Sequence, residues 1–446
     1  MISVASRELA IEGGPKAISS HVNDMFTWPI ITSEDEEAVL GVLRRGAMSG
    51  TDVTTRFEKE FAAWQGTKYA LGCNNGTSAI ESAMFGCGVG VGDEIICPSV
   101  TYWASALPCF SLGATVIFAE IDPVSLCLDP ADIEHRITNR TKAIVVVHYL
   151  GHPADMDSIM DIARKHGLKV IEDASHAQGG LYKGRKVGSI GDVGAMSLMS
   201  SKSFAVGEAG MLVTDNLEIY ERAIGLGHYE RFEDDIQTES LRPYLELPMA
   251  GYKFRMHQMS SAVGRVQLKY YDARCEEIRR AMNYFWDQLD GVPGLRAHRV
   301  PRDSGSNMGG WYCPHGHYLA EELGGLSVTR FAEAVRAEGF EGCVAGCNGA
   351  LHLHPVFNTC DTFGHGKPTR IANSTCDVRQ AAGSLPISEG IGARVYAIPW
   401  FKHYRPEVIR EYAEAFRKVA ENHQQLLADD LGNPPHLGAW HFVTHS

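Results

Sequence analysis

The sequence predicts an α/β protein: a mostly parallel, seven-stranded sheet flanked by helices, followed by a smaller α+β unit. Three observations predict it. Short apolar strands and helical segments alternate from Tyr69 to Thr214, the order that gives βαβ units. Ala143–His148 (AIVVVH) is a near-continuous β-branched run, as a parallel strand buried on both faces requires. After Gly251 the pattern changes to a long mixed helix and Gly-rich loops.

Residues 1–33, with Gly13, Gly14, Pro15 and Pro29, read as an N-terminal arm. Ser33 ahead of Glu34, Asp35, Glu36 and Glu37 predicts an N-cap followed by acids that suit a helix N-terminus, in a helix reaching Arg45. Strands are expected at Tyr69–Cys73, Glu94–Cys97, Thr115–Phe118, Ala143–His148, Lys169–Glu172, Val193–Leu198 and Gly210–Thr214. Helices are expected between them at Ser78–Gly86, Ser99–Leu112 and Asp129–Arg136, with Pro130 at the first position of the last. Another, Asp155–His166, is stopped by Gly167. Gln258–Leu289 predicts a long helix with a break near Asp272, and further helices are expected at Ser327–Glu338 and Pro406–Leu427. This divides the chain into the arm (1–33), a large domain (34–272) and a small C-terminal domain (273–446).

With 446 residues, 44% apolar and 21% charged, the composition is that of a globular protein with an ample core. The net charge of −13 argues against a nucleic-acid partner, which would need a basic face. Eleven cysteines, odd in number and scattered, suit a reducing compartment. Met1–Val22 lacks the pattern of a signal peptide. Ile95–Ala119 carries no charge but is broken by Pro98, Pro108 and Gly113, so it reads as buried strands and turns rather than a membrane span. The expected location is the cytoplasm.

Four features lie at predicted strand ends, where open α/β sheets bind ligands. Asn75-Gly76-Thr77-Ser78-Ala79 joins a strand to a helix; small residues, hydroxyls and the helix dipole there attract an anion, or the segment is simply a capped helix start. Pro98-Ser99-Val100-Thr101-Tyr102-Trp103 offers an aromatic face to a flat ring, or packs in the core. Glu172-Asp173-Ala174-Ser175-His176-Ala177 places a carboxylate where it could keep a heteroaromatic nitrogen protonated, or cap a helix; His176 follows within reach of a ring oxygen, or is a core histidine. Ser197 to Lys202 (SLMSSK), ahead of SFAVGEAG, sets a lysine between an apolar strand and a Gly-containing turn. Buried there, its amine would be a nucleophile and base near neutral pH; on the surface it would be an ordinary lysine. Anion turn, aromatic, carboxylate and lysine in this order fit pyridoxal phosphate (PLP), whose protonated ring is an electron sink.

At these residues the sequence resembles the PLP-dependent, fold type I sugar aminotransferases of the DegT/DnrJ/StrS type. The marks are Gly46–Gly50 (GAMSG), Phe57–Phe61 (FEKEF), NGTSA, Gly92–Pro98 (GDEIICP), Arg140–Val147 (RTKAIVVV), His148–Asp157 (HYLGHPADMD), Ile171–Ala177 (IEDASHA) and Gly207–Thr214 (GEAGMLVT), with Leu385–Trp400 similar to the closing strand region. The resemblance implies that Lys202 bonds PLP, Asp173 pairs with the pyridine nitrogen, His176 lies near the ring oxygen and Tyr102 stacks on the ring. It implies that Gly76, Thr77, Ser78 and Ser197 surround the phosphate and that Glu208 lines the substrate side. It also implies a homodimer with shared active sites, in which Gly251–Met256 (GYKFRM) reaches the neighbour's phosphate through Lys253 or Arg255. Glutamate or glutamine is the implied amino donor, and a nucleotide-linked keto-sugar or a keto-cyclitol the acceptor.

Relatives that lack the lysine dehydrate sugars instead, so Lys202 favours transamination. Lys253 stands where many relatives have Asn, Ala209 where Gly is usual, and residues 230–245 and 300–370 look like additions near the acceptor side. The opening segment and Trp28-Pro29 lean toward members that act on cyclitol ketones or make aminohydroxybenzoate. A regulatory protein without turnover, and a PLP lyase acting on an amino acid, are the competing readings. Cys343, Cys347, His352 and His354 offer a zinc alternative, with HLH read as a strand.

Overall fold

The computed structural model describes residues 8–20, 22–231, 236–244 and 246–440. Residues 1–7 and 21 of the expected arm, and 232–235 and 245 of the expected addition, lie outside the described residues.

Strands β1 (Tyr69–Cys73), β2 (Glu94–Pro98), β3 (Thr115–Ala119), β4 (Thr141–Val147), β5 (Lys169–Asp173), β8 (Val193–Ser197) and β9 (Gly210–Thr214) form one seven-stranded sheet in the order β1-β9-β8-β5-β4-β2-β3. Leu181–Tyr182 (β6) and Arg185–Lys186 (β7) make a separate hairpin. β9 runs antiparallel to both β1 and β8, and the other pairings are parallel. All strands but β9 therefore finish at one edge, where Cys73 and Ser197 both lie opposite Gly210. Alternate β4 residues enter different cores: Ala143 and Val145 pack with Ile80, Met84 and Ile224, while Ile144 and Val146 pack with Met156 and Ile159. Burial on both faces is what selects the β-branched run there.

Helices α1 (Ser33–Arg44), α2 (Asp52–Gln65), α3 (Gly76–Gly86), α4 (Pro130–Arg136), α5 (Met156–His166) and α6 (Leu217–Gly227) accompany this sheet; α2 and α6 went unpredicted. Thr32, not Ser33, caps α1, because Asp35 returns its carboxylate to the Thr32 N–H at 2.9 Å. The Ser99–Leu112 helix is replaced by two short 3₁₀ turns, Trp103–Ser105 and Leu107–Phe110. Pro108 lacks a donor there, and the Thr101 and Ser105 hydroxyls bond each other at 3.0 Å. The break expected near Asp272 does not occur: Gln258–Gln288 is one helix, and the Asp272 carboxylate accepts from the Trp64 indole at 2.8 Å rather than competing with the backbone. The last helix ends at Glu421, short of Leu427.

A three-stranded antiparallel sheet, β10 (Leu295–Ala297), β11 (His315–Tyr318) and β12 (Val395–Ala397), packs with Val328–Ala337, Pro406–Glu421 and the end of the long helix. The arm joins this core through Leu9, Ile18 and Met25. It is held by the buried Glu338 carboxylate, which accepts from the Ala10 and Ala17 N–H groups at 2.8 and 2.9 Å and from Lys418 at 3.0 Å. Among the described residues no helix is long and apolar enough to cross a membrane.

Candidate active site

The common strand edge gathers most of the residues singled out above. Asp173 ends β5 and Ser197 ends β8. Glu172 and Asp173 show how strand alternation assigns different tasks to neighbours. Glu172 accepts from the Gly188, Ile190 and Gly191 N–H groups and pairs with buried His148, a structural knot. Asp173 instead accepts from the Ser105 hydroxyl at 2.7 Å and from the Ser175 N–H at 3.0 Å.

Lys202 lies in the loop between β8 and β9 and is buried. That loop is tied from several sides. Ser203 donates to Gln178 Oε1 at 2.6 Å, and Tyr271 donates to the Ser203 hydroxyl at 2.9 Å. Gln178 Nε2 donates to the Ser197 carbonyl at 2.6 Å, and the Trp28 indole donates to the Lys202 carbonyl at 2.9 Å. The Lys202 Nζ sits 4.0 Å from the centroid of the Tyr312 ring. Burial pushes its pKa down to about 8, against the opposing pull of Asp173 and the Cys313 thiol. This amine therefore exchanges its proton near neutral pH.

His176 is buried between Tyr149 and Tyr312, with ring centroids 5.6 and 4.7 Å away. Burial, reinforced by the Lys202 charge, holds its pKa well below the ordinary histidine value. Its Nδ1 accepts from the Leu150 N–H at 3.3 Å, which leaves the proton of the neutral ring on Nε2. Tyr102 is half-buried, tilted against Trp103 at 4.9 Å. Burial raises its pKa, and the Glu208 charge adds to the rise. Glu208 itself is exposed.

Asn75 caps α3, accepting the Ser78 N–H at 2.8 Å. The Ser78 hydroxyl donates to Asn74 Oδ1 at 2.6 Å, so this side chain serves the cap. The open groups at the helix start are the N–H groups of Gly76 and Thr77, which have no partner within the helix. A Cβ on Gly76 would lie 2.6 Å from the Ser197 Cβ. Glycine thus lets the helix start touch the end of β8.

Lys253 and Arg255 are not brought to the Lys202 side of this edge. They line a separate cleft of about 190 Å³ with Ser49, Gly50, Glu58 and Arg231. The cleft adjoins β1 through Gly72 and a bridge between Cys73 and Arg255. Glu230 is 3.8 Å from Arg255, and Glu58 is paired with Arg231. Two of the sequence marks, GAMSG and GYKFRM, meet here.

The zinc alternative fails in its geometry. Leu351–Leu353 is a 3₁₀ turn, not a strand. His352 is hydrogen-bonded to Ser99 at 2.7 Å and to Glu389 at 3.0 Å, while His354 caps the next helix by accepting from Val356 N–H at 3.1 Å. Among the described residues no group of three or more His, Cys, Asp or Glu is placed to hold a metal.

Residues 29–417 match the DegT/DnrJ/EryC1/StrS aminotransferase family. The chain belongs to that family. L-glutamine:scyllo-inosose aminotransferase of Streptomyces griseus is 33% identical over 441 residues, spanning 94% of this chain and 99% of the relative. GDP-perosamine synthase of Caulobacter vibrioides is 39% identical over 233 residues, 52% of this chain and 61% of that one. The crystal structure of an aminotransferase from Psychrobacter cryohalolentis superposes with a TM-score of 0.77 at 27% identity, covering 90% of this chain and all (100%) of the other. This DegT-family protein is thus a homologue of characterised sugar and aminocyclitol transaminases, in a PLP-dependent family.

Three aromatic residues that the strand-end motifs did not reveal also gather around Lys202. Tyr312 on Lys202, Trp28 on the Lys202 carbonyl, and Trp400, edge-on to Tyr312 at 5.7 Å, come from segments that follow the long helix and from the arm. The sequence signals near them are the Trp28-Pro29 pair in the arm, the 300–370 segment that holds Tyr312, and the segment ending in Trp400.

Proposed function

We propose that this enzyme carries PLP on Lys202 and transfers an amino group from glutamine or glutamate to the ketone of a cyclitol or a sugar. The observation that carries the reading is the buried Lys202 amine, its pKa brought to about 8 by burial against the opposing charge of the buried Asp173 carboxylate. The surrounding residues fit the cofactor. Asp173, set by Ser105 and Ser175, is the carboxylate for the pyridine nitrogen. The neutral His176 has an Nε2 proton to donate to the ring oxygen. The start of α3, with Gly76 and Thr77, and Ser197 are the residues for the phosphate. Ser78, which the resemblance also implied for the phosphate, contributes through the cap rather than through a free hydroxyl. Tyr102 is the aromatic for the ring face.

PLP supplies an electron sink when bound. The chain supplies the rest: Lys202 Nζ holds the cofactor and, once released, moves a proton as base and then as acid. Tyr312 and the aromatic wall behind it keep water from that amine. A keto-cyclitol is the favoured acceptor because the relative aligned over nearly the whole chain, at 94% coverage, acts on scyllo-inosose. The same reading takes the enzyme as a homodimer, with Lys253 and Arg255 in a cationic cleft directed to the neighbour's phosphate. Product mass analysis after incubation with PLP, glutamine or glutamate, and a panel of keto-cyclitols and keto-sugars tests it. An aminated cyclitol is expected; no aminated product from any acceptor would overturn the reading.

A further inference from the structure

Behind Tyr312 lies a second buried amine that the reaction as described does not use. Lys402 is 3% exposed, and among the described residues its Nζ has no hydrogen-bond partner. It rests on the Trp400 ring and lies 5.2 Å from the Trp28 centroid. The two indoles are 6.2 Å apart. Both indoles are anchored to the surroundings of Lys202. Trp28 donates to the Lys202 carbonyl, and Trp400 donates at 2.9 Å to the carbonyl of Gly310, a residue whose added Cβ would fall 2.4 Å from that of Ser203. The Cys313 thiol feels the charges of both lysines. Two amines thus border one cluster of aromatic rings, Tyr312, Trp400 and Trp28.

A buried ammonium without a counter-ion is costly, and proteins rarely keep one. Aromatic faces offset part of that cost but leave the charge unneutralised. Burial accordingly pushes the Lys402 pKa well below the usual lysine value, with Cys313 opposing. A bound anion would restore the charged form. The keto ring of the acceptor is neutral, whereas every amino-acid donor brings a carboxylate next to the nitrogen that must reach the cofactor on Lys202. We infer that Lys402, framed by Trp28 and Trp400, binds a carboxylate of the amino donor. The assignment rests on the transaminase reading above.

The test is the donor half-reaction of the holoenzyme with L-glutamate, followed by the cofactor's absorption, alongside titration of tryptophan fluorescence with the unreactive dicarboxylate glutarate. Lys402→Met is expected to raise the half-saturating glutamate concentration about 30-fold, the scale of a lost hydrogen bond to a charged group. It should abolish the glutarate response, and Lys402→Arg should restore it. An unchanged half-saturation, or a fall in maximal rate alone, would overturn the assignment. Should Lys402→Met fail to fold, the wild type decides: it must bind glutarate in preference to the neutral pentanediamide, and equal or absent binding refutes the idea. Borohydride reduction and peptide mapping keep the two readings apart, since cofactor found on Lys202 alongside unaltered donor binding condemns only the Lys402 assignment.

Discussion

The indole N–H of Trp28 donates to the main-chain carbonyl of Lys202 at 2.9 Å, across 174 positions of sequence. The arm thereby holds the backbone of the lysine at the centre of the candidate site. Trp28→Phe keeps an aromatic ring but removes the donor. It is expected to lower stability by ~1 kcal/mol in denaturant unfolding and to slow cofactor loading, with far-UV circular dichroism unchanged.

Lys202→Ala is expected to fold as the wild type does and to lose activity by ~10³-fold or more, the scale of positioned acid–base catalysis. Borohydride treatment with PLP should then label no peptide containing residue 202. Full turnover in this variant would remove Lys202 from its proposed role.

Reconstitution of the apoprotein with PLP should accelerate as pH rises through about 8, because only the neutral Lys202 amine attacks the aldehyde. The sign extends to stability. The folded-state pKa of about 8 lies below that of an unfolded lysine near ~10.4, so between those values the unfolded chain binds more protons. The Lys202 contribution therefore disfavours folding below pH 8 and relaxes as pH rises toward the unfolded value. A loading profile flat from pH 6 to 10 contradicts the burial argument.

Asp173→Asn is expected to cut the rate by ~10²-fold or more while costing little in folding, since Asn can still accept from Ser105 or Ser175. Ser105→Ala, which leaves the carboxylate but removes its 2.7 Å donor, should slow turnover by ~10-fold. Parallel losses of rate and stability in Asp173→Asn would mark the carboxylate as structural.

Gly76→Ala would drive a methyl group to 2.6 Å from Ser197 Cβ, which must displace the start of α3. Overpacking of this kind costs ~1–3 kcal/mol. Here the expected signature is a PLP dissociation constant raised by ~10-fold, measured by equilibrium dialysis.

The sheet was legible in the sequence because its signals are local. The β-branched run at Ala143–His148, and the glycine, carboxylate and lysine that follow strands, mark position within a few residues of themselves, and open sheets place ligands at strand ends. These signals located Asp173, His176, Ser197 and Lys202 on one edge. They left open whether Ser78 serves an anion or a cap and missed the 3₁₀ turns of 99–112, because short-range side-chain bonds to Asn74 and between Thr101 and Ser105 compete with regular helix in ways that residue pattern alone does not rank. Likewise, Tyr312 and Trp28 meet Lys202, with Trp400 set against Tyr312, only when the arm and the small sheet close over the strand edge. The depressed pKa of Lys202 is a product of that closure. An amine's identity is written in the chain, but its desolvation comes from neighbours that only the tertiary fold assembles.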